Sequence, residues 1–154
     1  MGWLSVAPLE GEIGMERSPA QRSVELIQAY YAAFNRGDRE AFLALLTEDV
    51  RHDINQGGSE IGKVAFRAFM ERMDRSYSEQ ITDLVVMASE DGRTASSEFV
   101  VQGTYLQTDE GLPPATGQKY TLPGGAFFTI RDGKVARVTN YYNLGDWLRQ
   151  VGAR

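Results

Sequence analysis

Three consecutive residues, Arg51-His52-Asp53, concentrate the acid–base chemistry that this sequence offers. His52 is the only histidine among 154 residues, and imidazole is the one side chain whose ordinary pKa places it near neutrality. It is able to take or give a proton at pH 7, or to donate a hydrogen bond in a pocket. Asp53 supplies a carboxylate, which removes a proton α to a carbonyl or activates water when it comes within hydrogen-bond reach, about 3 Å. Adjacency does not make them a dyad, because neighbouring residues of a strand face opposite sides. If Asp53 faces inward, Arg51 and Asn55 tend that way; if His52 does, Val50 and Ile54 go with it. With one histidine and no cysteine, the common zinc sites cannot be assembled, and disulfide and thiol chemistry are excluded. No metal and no cofactor is expected.

The elements that position this tripeptide flank it on both sides. Ser18-Pro19-Ala20-Gln21 opens a helix with a capping serine, proline at the first helical position and glutamine closing the box. Val24, Ile27, Tyr31 and Phe34, with Leu26, Tyr30 and Ala33 beside them, form its apolar face. Gly37 ends it, and Asp38 caps a second, short helix carrying Phe42, Leu43, Leu45 and Leu46. A strand is predicted over Val50 to Ile54, followed by a loose NQGGSE segment. Phe66, Phe69, Met70, Met73 and Tyr77 mark a third helix from about Lys63 to Tyr77. Thereafter the period falls to two. Strands are predicted over Ile81 to Ala88, Thr94 to Leu106, Lys119 to Ile130 and Val135 to Tyr142, with Asp-Gly hairpin turns at Asp91-Gly92 and Asp132-Gly133. Pro123-Gly124-Gly125 reads as a bulge or bend, and Asn143 to Asp146 caps a short closing helix with Trp147 and Leu148. Helices first and an antiparallel meander after them is an α+β order, in which a curved sheet wraps around the helices.

Length and composition fit one domain with a core, over residues 18–154. The net charge of −5 and the absence of a basic run argue against nucleic acid and anionic membranes as partners. No apolar run nears the ~20 residues that cross a bilayer, and a cysteine-free chain is expected in the cytoplasm. Residues 1–17 read as a disordered leader, or as upstream sequence with Met15 as the natural start.

Four short motifs carry a resemblance: Asn35-Arg36-Gly37-Asp38, Glu48-Asp49-Val50, Gly62 to Phe69, and Asp132-Gly133-Lys134-Val135. Their order resembles the nuclear transport factor 2-like (NTF2-like, cystatin-like) superfamily, and within it the ketosteroid isomerase-related, SnoaL-like polyketide cyclase branch. The resemblance implies a cone-shaped α+β barrel with three helices, a deep apolar pocket, a homodimer, and a small apolar ligand.

The isomerases of that superfamily combine an Asp general base with an oxyanion hole made by a Tyr and a protonated Asp. Tyr30, five places before Asn35, matches the tyrosine, and a neutral phenol suits an enolate oxygen. Counting back from the Gly62 helix puts Asp53 at the base position; counting forward from Asn35 puts Ile54 there. The second acid aligns with Ala126, so that donor is missing. Phe69 best matches a residue of the cavity floor, while Phe66, Met70 and Met73 read as core. On the last strand, Tyr142 shares parity with Val138 and Asn140, so Asn140 and Tyr142 are expected inward, toward a bound substrate. Gly111 to Pro114 is a lid over the mouth or an exposed loop. Two functions follow: cofactor-independent acid–base chemistry on a small apolar carbonyl compound through Tyr30 with Asp53 or His52, or a pocket or dimerisation module without turnover. Hydrolysis or dehydration in the same pocket is a third.

Overall fold

The computed structural model describes residues 16–152; the leader expected over residues 1–17 lies outside them except for Glu16 and Arg17. Helix α1 (Pro19–Asn35) begins with the expected capping box. The Ser18 hydroxyl accepts from the Gln21 N–H, and the Gln21 side chain accepts from the Ser18 N–H. Gly37 stops the helix with φ at +71°, a left-handed geometry that costs glycine little. The Asp38 carboxylate accepts from the Ala41 N–H and opens α2 (Arg39–Ala44). The sharp turn between these helices brings the rings of Tyr30 and Phe42 to 4.3 Å between centroids.

Six strands follow: β1 (Leu46–Ile54), β2 (Gly58–Ile61), β3 (Tyr77–Ala88), β4 (Thr94–Tyr105), β5 (Lys119–Arg131) and β6 (Lys134–Tyr142). Helix α3 (Lys63–Ser76) lies between β2 and β3, and α4 (Leu144–Val151) follows β6. The strands form one curved sheet in the order β2-β1-β6-β5-β4-β3. Strand β4 shows the two-residue period most plainly. Ala95, Ser97, Phe99, Val101 and Tyr105 are buried, while Glu98 and Gln102 between them are exposed. The buried side faces the helices, and Leu46, Val50, Phe128, Val135 and Val138 complete the core there. Each such fully buried apolar side chain contributes roughly 1.5–3 kcal/mol.

The asparagine of the N-x-G-D motif ties helix to sheet. Asn35 donates its side-chain amide to the Ile81 carbonyl at 2.9 Å and accepts from the Ile81 N–H at 2.7 Å. Strand β3 is the sheet's edge, and its register breaks between Thr82 and Val85. The Asn35 amide therefore satisfies edge groups that no strand reaches.

Several expectations change. The sheet is open rather than a closed barrel, and not wholly antiparallel, because β1 pairs parallel with β6. That pairing needs a long crossover, which α3 and the β3–β5 meander supply. Gly58–Ile61, which takes in the end of the NQGGSE segment read as loose, is a strand paired antiparallel with Arg51–Ile54; pairing to β1 supplies the order that its side chains do not announce. β1 starts four residues before Val50. β3 starts at Tyr77 rather than Ile81, and Tyr77 caps α3 instead of continuing it. Pro123 to Gly125 pairs without interruption, and the irregularity of β5 lies between Thr129 and Ile130. No helix among the described residues is long and apolar enough to cross a membrane.

Candidate active site

A cavity of about 510 Å³ lies between the inner face of the sheet and the helices, a size that suits a small-molecule ligand. Aromatic and aliphatic side chains dominate its wall, among them Tyr31, Phe34, Phe42, Phe99 and Leu122.

Strand β1 brings His52 to this wall. Its ring stacks on Phe66 and meets Phe69 edge-on, each at 4.5 Å between centroids, and the residue is 3% exposed. Val50 and Ile54 share its face, as alternation requires. Burial holds the imidazole pKa below its usual value, with Glu60 and Asp53 opposing the effect in part. The ring is therefore neutral at pH 7. Its Nδ1 is buried without a hydrogen-bond partner among the described residues.

Asp53 borders the cavity but spends its carboxylate on the opposite face of β1. It accepts from Ser59 Oγ at 2.7 Å, from Arg51 Nε at 2.7 Å and from Arg137 Nε at 2.8 Å. Arg51 and Arg137 are register partners across the β1–β6 pair, and Asp53 stands opposite Thr139 on the same side. The Ser59 hydrogen bond, with those of the two guanidiniums, lowers the Asp53 pKa to about 2. A carboxylate so stabilised is a weak base. Of the two candidates, His52 packs its ring in the cavity wall, while Asp53, which borders the cavity, gives its carboxylate to Ser59 and the two arginines.

Tyr30 projects from the middle of α1 into the wall of the cavity, with Tyr31, Phe42 and Phe128 around its ring at 5.0, 4.3 and 5.3 Å. Burial, and then the neighbouring Tyr31, push its pKa well above 10. Tyr30 is therefore a neutral donor throughout the physiological range. The adjacent Tyr31 hydroxyl is committed to Ser97 Oγ at 2.8 Å. Phe69, Asn140 and Tyr142 also line the cavity. Asn140 stands opposite Ile54 on β1 and Ala126 on β5. Tyr141 faces away, 51% exposed, edge-on to Phe127. Ala126 is fully buried and offers no acid.

A second polar group on the same wall escaped the sequence. Glu79 of β3, Gly103 of β4 and Tyr120 of β5 form one row across three strands. Gly103 has no side chain, and the Tyr120 ring lies directly over it; a Cβ there would stand 2.2 Å from the ring. The Tyr120 hydroxyl consequently reaches Glu79 Oε2 and donates to it at 2.8 Å. Burial raises the Glu79 pKa, and the Tyr120 hydrogen bond opposes that rise in part. Nearby, Tyr77 donates to Asp109 Oδ2 at 2.8 Å. The Tyr105 hydroxyl accepts from the Asp109 N–H and donates to the Pro113 carbonyl, which fixes the 106–118 loop while Leu112 lines the cavity. The signal was the alternation Tyr77-x-Glu79-x-Ile81, legible only if the strand is started at Tyr77.

The SnoaL-like domain family matches residues 27–138, well over half of the chain. Among solved structures, a candidate polyketide cyclase of Pseudomonas putida KT2440 is 62% identical, with a TM-score of 0.83 over 84% of this chain and 98% of that one. Another, from Xanthomonas campestris pv. campestris, is 58% identical, with a TM-score of 0.85 over 88% of this chain and 100% of the other. A candidate ketosteroid isomerase of Kribbella flavida is 26% identical, with a TM-score of 0.59 over 82% and 81% of the two chains. No curated protein matches the sequence. An open α+β sheet around an apolar cavity, the Asn35–Asp38 corner and this family match agree: the chain belongs to the SnoaL-like domain family.

Proposed function

We propose that this chain is a cofactor-independent enzyme of the isomerase or cyclase type, which performs acid–base chemistry on a small apolar carbonyl compound in its cavity. The observation that carries the reading is the pairing of an apolar wall with two uncharged proton-handling side chains, Tyr30 and His52, both kept neutral by burial. A neutral phenol donates to a carbonyl oxygen as negative charge develops there, and in a dry site such a donor is worth about 10²–10³ in rate. A neutral imidazole accepts or relays a proton at pH 7. The names given to the Pseudomonas putida and Kribbella flavida proteins support the same chemistry.

The rival reading is a binding module without turnover, favoured by Ala126 where an isomerase acid would stand and by the engagement of Asp53 in ion pairs. Replacing Tyr30 with Phe separates the two, since it removes one hydroxyl and keeps the ring contacts. The enzyme reading expects turnover to fall about 100-fold or more, with ligand affinity within a few-fold. A variant that changes affinity alone, or nothing, overturns it.

The chain is also proposed to form a homodimer through the outer face of the sheet. Val85, Met87, Phe127 and Tyr141 expose apolar surface there, a composition that suits an interface.

A further inference from the structure

The proposed reaction needs a group that breaks a C–H bond, and the Asp53 carboxylate is already engaged by Ser59 and two arginines. We infer that Glu79 is the catalytic carboxyl, set at the cavity wall by Tyr120 lying across Gly103. This rests on the acid–base reading given above and adds a residue to it.

Four observations support the assignment. Glu79 lines the same cavity as Tyr30 and His52. One of its oxygens, Oε2, is fixed by Tyr120 at 2.8 Å, while Oε1 has no hydrogen-bond partner among the described residues. None of the ion pairs among the described residues includes Glu79, in contrast to Asp53, so its charge is not neutralised. The titratable groups that feel its charge are the phenols of Tyr120 and Tyr142, with Tyr77 and Asp109 beyond them; Arg39, the cation that also lines the cavity, is paired with Asp74. Burial accordingly raises its pKa, and a carboxylate whose pKa is raised is the stronger base at neutral pH.

The step balances without a co-reactant. The Glu79 carboxylate takes a proton from the carbon next to a carbonyl: the C–H bond breaks and an O–H bond forms on Glu79. The electron pair moves into an enolate, whose oxygen accepts from Tyr30. Where the compound carries a β,γ double bond the enolate is a dienolate, and returning the proton to its γ-carbon moves the double bond into conjugation and isomerises the compound. Attack of the enolate carbon on a second carbonyl of the same molecule closes a ring instead, and the Glu79 proton passes to the new alkoxide.

The test uses 1-tetralone, an apolar bicyclic ketone, with the full chain in D₂O. Deuterium uptake at its α-carbon is followed by NMR, and binding by tryptophan fluorescence. The wild type is expected to exchange above the buffer rate. E79Q is expected to lose about 100-fold or more of that rate with 1-tetralone affinity within about three-fold. In Y120F the acid limb of the pH–rate profile should move to higher pH, because the lost hydrogen bond favoured the carboxylate; a purely structural Tyr120 leaves the limb in place. Exchange by E79Q at the wild-type rate overturns the role of Glu79 and leaves the acid–base reading standing. No exchange by the wild type overturns that reading and the role of Glu79 with it. Independently of turnover, a ¹³C-carboxyl resonance, assigned through E79Q, that titrates at or below the ordinary glutamate range overturns the inference.

Discussion

His52 and Asp53 are neighbours in the chain, yet they serve opposite faces of β1. His52 stacks on Phe66 at 4.5 Å, while Asp53 is held at 2.7–2.8 Å by Ser59, Arg51 and Arg137. The ring of one packs in the cavity wall, while the carboxylate of the other, at the cavity's border, is spent on groups of the sheet.

Asp53 should matter for folding and not for ligand. Its depressed pKa stabilises the folded state above the unfolded aspartate value of about 3.9, and this contribution is lost as pH falls toward about 2. Its arginine partners are 56% and 39% exposed, so solvent screening limits the effect to about 1 kcal/mol. D53N is expected to lose about that much in urea unfolding at pH 7, with the difference shrinking as pH drops below 4. 1-Tetralone affinity should stay within about two-fold. A variant of unchanged stability that no longer binds or turns over would return Asp53 to the site.

His52 also ties stability to pH, and in the same direction. Because burial keeps its folded pKa below the ordinary 6.5, the unfolded chain takes up the proton first. The native state then holds its full stability above about pH 6.5 and loses it as the pH falls below that value toward the folded pKa. H52F keeps the stacking on Phe66 and removes the buried, unpaired Nδ1. Relative to the wild type, H52F should gain stability between pH 8 and pH 5, read by urea unfolding across that range. Parallel pH dependences in the two proteins would show that His52 titrates normally.

Gly103 is required by packing rather than by backbone geometry. G103A places a methyl group 2.2 Å from the Tyr120 ring, and overpacking of this kind costs about 1–3 kcal/mol. Tyr120 must move off Glu79, so the carboxyl pKa should rise further as its hydrogen bond is lost. Differential scanning calorimetry and the Glu79 carboxyl resonance report the two effects. An unchanged Tm would mean that the ring finds another place at no cost.

The outer sheet face gives a prediction of assembly. Light scattering at micromolar concentration should return twice the chain mass of 17.1 kDa, and F127E, at a 54% exposed position, should return a monomer that keeps its far-UV spectrum. A wild-type particle of about 17 kDa sinks the dimer.

The sequence alone determined most of the local structure. The capping box at Ser18, the stop at Gly37, the Asp38 cap, the α3 stripe and the Asn143 cap all stand where residue type and period put them, because each depends on groups a few residues apart. Parity along the last strand put Asn140 and Tyr142 on one face, and both line the cavity together with Tyr30 and Phe69, which the family resemblance had singled out. What the sequence left open was decided by pairing between distant segments. Arg137, 84 residues away from Asp53, draws the carboxylate outward, and no local pattern announces that partner. β2 exists because β1 offers it an edge. Glu79 reaches Tyr120 because three strands align a carboxylate, a glycine and a tyrosine in one row. Sheet register is set by the whole hydrophobic face and its connections, so the tertiary structure alone brought that row together.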